Sequence, residues 1–161
     1  MLERQECLRL LYLGAREDEG CGHDAAAPCA GRVPRVGRVG FSLDGVPIIL
    51  PVNYGMVDGD VVVRTGEGVK LSSASDHAIV AFEVDGVDLD AMVAWSVLVR
   101  GLCTELTDPD EVTMARNATP HPLVAEPGDR YLRIRTGVLS GRRFALASDL
   151  LRAGPEGGAS A

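Results

Sequence analysis

Lysine is nearly absent. Of the sixteen basic residues in this 161-residue chain, fifteen are arginine and one is Lys70. Basic residues are also outnumbered: the formal net charge is −7 and the pI about 4.9. A general nucleic-acid binder shows a basic footprint, so that class is set aside. Aromatic residues make up 4%, which leaves the core to Val, Leu, Ile and Ala. No apolar run approaches the roughly 18 residues of a membrane span. The opening MLERQECLRLLYLGARED carries acids inside its apolar pattern, which does not suit a secretory leader. The expectation is a cytoplasmic protein with no membrane partner. Without a leader, Cys7, Cys21, Cys29 and Cys103 are not expected to form structural disulfides. Cys21, His23 and Cys29 share the stretch CGHDAAAPC, but paired CxxC knuckles are absent, so no metal site is assigned.

What is present is ordinary for a globular domain, with 46% apolar and 24% charged residues. Leu2, Leu8, Leu11 and Tyr12 recur at near-helical spacing, and the spacing predicts an amphipathic helix over 2–13. A Gly-, Ala- and Pro-rich stretch at about 14–34 reads as a long surface loop. Strand signals follow in series at 35–42, 46–57, 61–65, 78–88, 94–108 and 130–144, the last a strand or strand pair. Asp-Gly at 44–45 and Asp-Gly-Asp at 58–60 mark tight hairpin turns, and Pro51 marks a bulge or an edge. GEGVKLSSASD at 66–76 reads as a turn and a short helix. Asp108 is the expected N-cap of a helix at 108–118. About six mostly antiparallel strands with short flanking helices predict a small β-barrel, which removes exposed edges. Domain boundaries are placed at 1–146 for the barrel, with the insertion at about 14–34, and at 147–161 for a C-terminal tail disordered at its end.

The chemistry concentrates around the single lysine. Arg64 and Thr65 end one strand, Gly66 and Gly68 let the backbone fold back, and Lys70 and Ser72 open the next segment. A guanidinium, two hydroxyls, an ammonium and free helix N–H groups are all donors suited to one oxyanion, and so to a phosphate. A solvated surface turn is the plain alternative. The spacing is not that of a P-loop. No Ser-His-Asp arrangement or paired-carboxylate motif is identifiable. His77 reads as a surface residue, and His121, between two prolines, could line a pocket mouth.

Six segments in order carry a resemblance: ECLRLL at 6–11, GRVGFSLDGVPIILPVNY at 37–54, VVVRTGEGVKL at 61–71, VAFEVDG at 80–86, WSVLVRG at 95–101 and IRTGVLSGRRF at 134–144. The chain is similar to the pyridoxamine 5′-phosphate oxidase-like family of flavin-binding split β-barrels, in its small actinobacterial and nitroimidazole-reductase-like branch. The stretch at 14–34 departs from that pattern. The resemblance implies a mainly β, six-stranded antiparallel split barrel that binds FMN, or in some branches F420, at the interface of a homodimer. It implies that Arg64, Thr65, Lys70 and Ser72 hold the flavin phosphate. It implies that the strand from Ile49 through Leu50, Pro51, Val52 and Asn53 runs along the ring, and that Trp95 and Ser96 come near it. Asn53 and Tyr54 could also meet substrate. Arg142 and Arg143 could contact a phosphate or the partner protomer. They alone could stand for the further basic residues of the oxidases proper, so pyridoxamine phosphate is not assigned as substrate. F420 is less expected than FMN in an acidic chain with one lysine, although Arg35, Arg38 and Arg64 keep it open. The implied function is an FMN-dependent reductase or oxidase of a small molecule, with NAD(P)H as a candidate donor. A non-catalytic flavin- or haem-binding module, or an F420-dependent reductase, is the alternative.

Overall fold

Two Asp-Gly turns start the architecture. Asp44 and Gly45 have φ of 51° and 78°, and Asp58 and Gly59 have 51° and 84°. Two consecutive left-handed residues are what a two-residue hairpin turn matched to strand twist requires. The first turn joins β1 (Gly37–Leu43) to β2 (Val46–Val52), and the second joins β3 (Tyr54–Val57) to β4 (Asp60–Thr65). The computed structural model describes residues 1–15, 36–66, 77–88, 91–119 and 130–147. The remaining elements are α1 (Arg4–Ala15), β5 (Ile79–Asp88), β6 (Val93–Glu105), α2 (Pro109–Ala118), β7 (Arg130–Ile134) and β8 (Val138–Ala145).

Every strand pairing is antiparallel, in the order β2-β1-β5-β6-β7-β4-β3, with β8 also on β6. The two ends of this path, β2 and β3, are joined covalently through Asn53. The sheet therefore curls back on itself, with six strand positions around the ring and one of them shared by β2 and β3. Eight strands appear among the described residues where six were expected, because two segments change partners midway. The 46–57 segment leaves β1 and joins β4 across Asn53. The 130–144 segment follows one edge of β6, first as β7 and then as β8, crossing over between. Gly101 permits that crossing: a Cβ there would lie 1.7 Å from the Arg135 carbonyl oxygen.

The thirteen-residue β6 belongs to two sheets. Its length pairs with β5 and β8, and its last residues pair with β7. The inner faces supply a core of Val39, Phe82, Val84, Val97, Val99 and Ile134, among others, all fully buried. α1 plugs one end with Cys7, Leu10 and Leu11, an i, i+3, i+4 stripe. It begins two residues later than predicted because the Leu2 N–H donates to the Gly141 carbonyl at 2.9 Å and ties the first residues to β8. It also ends two residues later, at Ala15. Burial pushes the Cys7 thiol above its usual pKa, which suits a packing residue.

α2 covers the outer face of the smaller sheet, where Ala115 meets Val62, Leu106 and Tyr131. Its N-cap is as predicted: the Asp108 carboxylate accepts from the N–H groups of Asp110 and Glu111 at 3.0 and 3.1 Å. The outer face of the larger sheet, β2-β1-β5-β6-β8, has no covering element among the described residues. It exposes Ile49 (70%), Ile79 (71%), Val87 (54%), Val138 (52%) and Phe144 (51%). No helix among the described residues is long and apolar enough to cross a membrane.

Candidate functional site

Among the described residues β2 is an edge strand, paired only with β1. Pro47 and Pro51 have no N–H to give a ladder, which explains their tolerance there. The backbone on the open side of β2 is left with carbonyl acceptors and few donors. Along β2 the side chains alternate, with Ile48, Leu50 and Val52 half-buried toward the core and Pro47, Ile49 and Pro51 exposed.

At its end the chain turns through half-buried Asn53 into β3. The β3–β4 ladder ends at Tyr54 opposite Val63, and Asn53 and Arg64 are the next residues of their strands beyond that pair. Asn53 and the Arg64–Thr65 pair thus flank the open end of the β3–β4 hairpin, a corner of the barrel into which Leu50, Pro51 and Val52 of β2 lead. Neighbouring residues of a strand send side chains to opposite faces. Arg64, half-buried, is on the face of its cross-strand partner Tyr131; Thr65, 6% exposed, is on the inner face opposite Arg130. The Thr65 hydroxyl donates to the Gly66 carbonyl at 3.4 Å. Lys70 and Ser72 lie outside the described residues, as do His121 and the Cys21, His23 and Cys29 stretch. The described part of the corner leads directly into the segment that holds Lys70.

The structure adds Arg130 to this corner. Opposite Thr65, it makes a two-point ion pair with Glu105, Nε to Oε1 at 2.7 Å. The sequence shows that Arg130 alternates with its neighbours, but only the β4–β7 register pairs it with Thr65.

Trp95 and Ser96 are elsewhere in the same chain. They lie on β6, three strands across the sheet from β2, a separation of about 14 Å at the usual strand spacing. Trp95 is 5% exposed and belongs to the core, so its ring is committed to the barrel interior. Ser96 faces outward and is half-buried, between Asp85 on β5 and Arg142 on β8. Arg142 is exposed. Arg143 is also exposed, on the α1 side of the sheet, and pairs with Glu6 of α1 at 2.7 Å. Tyr54, a candidate for substrate contact, is 1% exposed; its hydroxyl donates to the Leu11 carbonyl at 3.0 Å and its ring meets Phe82 edge-on at 4.9 Å. It is a core residue. His77 is exposed, with φ of 56°.

One ion cluster stands on the outer face of the larger sheet. Arg38 of β1 reaches Asp85 at 2.7 Å and Glu83 at 3.1 Å, both on β5. Asp85 first, then Glu83, hold the guanidinium above its usual pKa.

Comparison with known proteins agrees with this geometry. Residues 33–143 match the family model described as pyridoxamine 5′-phosphate oxidase. The uncharacterized protein Rv0080 of Mycobacterium tuberculosis is 37% identical over 117 residues, which span 70% of this chain and 76% of that one. The FAD binding protein from Mycobacterium smegmatis superposes with a TM-score of 0.68 at 29% identity, covering 91% of this chain and 98% of the other. A FAD-binding protein from Mesorhizobium loti gives 0.60 at 23% identity over 89% and 96%, a likeness of fold. The ring of strands split at Asn53, the family match over most of the chain and the Rv0080 relative together make this chain a member of the pyridoxamine 5′-phosphate oxidase family.

Proposed function

We propose that the chain is a homodimeric, FMN-dependent oxidoreductase of a small molecule. The reading is carried by one observation: Asn53, at the end of β2, and Arg64, near the end of β4, flank the last pair of the β3–β4 ladder. The donor set there fits a flavin. Arg64, Thr65, Lys70 and Ser72 would hold the phosphate through charge-assisted bonds. Leu50, Pro51 and Val52 would flank the ring, and backbone groups of β2 and Asn53 would meet its polar edge. A bound flavin supplies hydride and one-electron chemistry, while the protein supplies orientation and electrostatics.

The second protomer enters because Trp95 and Ser96 lie on β6, three strands along the sheet from β2. A copy seated on the apolar outer face of the larger sheet would bring its Ser96 and Arg142 toward the partner's β2. Ser96, rather than the buried Trp95, is the member of that pair suited to the role. The apolar exposure of Ile49, Ile79, Val87, Val138 and Phe144 supports such an interface.

FAD is the second reading, favoured by the name of the M. smegmatis relative at 29% identity. A non-catalytic binding module and F420 chemistry are separated by the same test. The purified protein is expected to absorb near flavin wavelengths, to release FMN on denaturation, and to bleach when NAD(P)H is added. Release of FAD or F420 replaces the cofactor. A flavin that no donor reduces favours the binding module. A colourless protein that takes up no flavin overturns the proposal.

A further inference from the structure

The ring end and the phosphate end of the proposed site are joined through one pair of residues. Asn53 directly precedes Tyr54, Arg64 directly follows Val63, and Tyr54 and Val63 form the last pair of the β3–β4 ladder. What holds Tyr54 therefore sets the spacing between the two ends. Its ring meets Phe82 of β5 edge-on, with centroids 4.9 Å apart and planes at 63°. The Phe82 ring in turn fills the space that a Cβ at Gly37 would take: that atom would stand 2.3 Å from Phe82 Cε2 and 3.3 Å from Tyr54 Cδ1. Gly37 opens β1 and pairs with Val52, the residue before Asn53. A missing side chain thus lets both rings pack against the backbone opposite Val52.

On its far side Tyr54 is held by α1. The Tyr54 hydroxyl donates to the Leu11 carbonyl at 3.0 Å. The residue is 1% exposed, so water does not compete for this bond. A second tyrosine does the same work elsewhere. The Tyr12 hydroxyl, at the end of the same helix, accepts from the Gly59 N–H at 3.1 Å. α1 therefore grips the β3–β4 hairpin at both ends, through Tyr54 beside the site and through Tyr12 at the turn. Tyr12 is 41% exposed.

We propose that Tyr54 is a positioning residue, whose hydroxyl ties the docking of α1 to the alignment of Asn53 with Arg64. The proposal rests on the flavin reading and adds to it a coupling between the helix and the site. FMN meets both ends at once, whereas riboflavin, which has no phosphate, meets the ring end alone. Misalignment of the ends costs a ligand affinity only when it must reach both. Coupling of this kind is reciprocal. A docked helix strengthens FMN binding, and bound FMN holds the helix down. The coupling can be no larger than the net contribution of the hydrogen bond that carries it.

The test uses the full chain as wild type, Tyr54→Phe and Tyr12→Phe, each titrated with FMN and with riboflavin. Both variants keep their rings and are expected to melt within a few degrees of wild type. Tyr54→Phe is expected to lower FMN affinity roughly three- to tenfold and to leave riboflavin affinity unchanged. Tyr12→Phe is expected to change neither. Deuterium exchange at the last turn of α1 is the second readout. FMN is expected to slow it in wild type and in Tyr12→Phe but not in Tyr54→Phe, and riboflavin is expected to slow it in none. A wild type that takes up neither ligand overturns the flavin reading and the role of Tyr54 with it. A wild type that binds both, while Tyr54→Phe keeps the same ratio of affinities, overturns the role of Tyr54 and leaves the flavin reading standing. So does an equal loss in Tyr12→Phe, which is the signature of a helix loosened as a whole. So does helix exchange that FMN fails to slow in wild type.

Discussion

Replacing Lys70 with Ala removes one charge-assisted bond to a phosphate dianion if the proposed cradle is right. Such bonds contribute about 1.5–3 kcal/mol, so FMN affinity is expected to fall roughly ten- to a hundredfold. Riboflavin, which lacks the phosphate, is expected to bind both proteins equally, and Lys70→Arg to recover part of the loss because a planar head cannot take the place of a compact one. Paired titrations decide it, and unchanged FMN affinity moves the phosphate site elsewhere. At Glu6 the question is one of pH. Arg9, and after it Arg143, hold this carboxyl below its ordinary 4.5 against partial desolvation. A depressed carboxyl adds stability above pH 4.5 that is lost as the pH falls through the folded value. The melting temperature of Glu6→Gln is therefore expected to lie slightly below wild type at pH 7 and to meet it by pH 3. At this scale the sequence was readable wherever the cause is local: the Asp-Gly turns and the Asp108 cap depend on neighbours two or three residues away. It was not readable at Tyr54 and Trp95, whose burial is decided by Leu11, Phe82 and the curl of the sheet.

Between elements, glycines set how closely the layers approach. A Cβ at Gly55 of β3 would stand 2.1 Å from the Ala118 carbonyl oxygen at the end of α2. Backbone cannot yield as a side-chain tip does. Gly55→Ala is expected to lift the helix off the sheet and cost about 1–3 kcal/mol or more, read as a lower urea midpoint. Met114, on the exposed side of the same helix, provides the contrast: Met114→Ala is expected to shift the midpoint little. Strand existence was legible from alternation and turn chemistry, and Pro51 correctly flagged an edge. The division of 46–57 and 130–144 was not legible, because a strand changes partner for reasons held in β1, β4 and β6 rather than in its own residues. The corner was half legible for the same cause: Arg64 and Thr65 are adjacent in sequence, while Arg130 reaches Thr65 only through the β4–β7 register.

For the molecule as a whole, the assembly reading makes a mass the first measurement. Sedimentation with flavin bound is expected to give twice 17.0 kDa, and a 17.0 kDa species with flavin fully bound would show that one barrel suffices. The barrel itself has a further property, which follows from β6. Because that strand is hydrogen-bonded to β5 and β8 along most of its length and to β7 at its end, neither sheet keeps a full set of neighbours when the other opens. Partial denaturation has no stopping point between them. The calorimetric and van't Hoff enthalpies of a single protomer are expected to agree. The amides of Val97 and Val99, at the middle of the shared strand, are expected to exchange with deuterium only through global opening, while those of β2 exchange by local fraying. The edge that would meet a ligand is then also the part of the fold that opens at least cost.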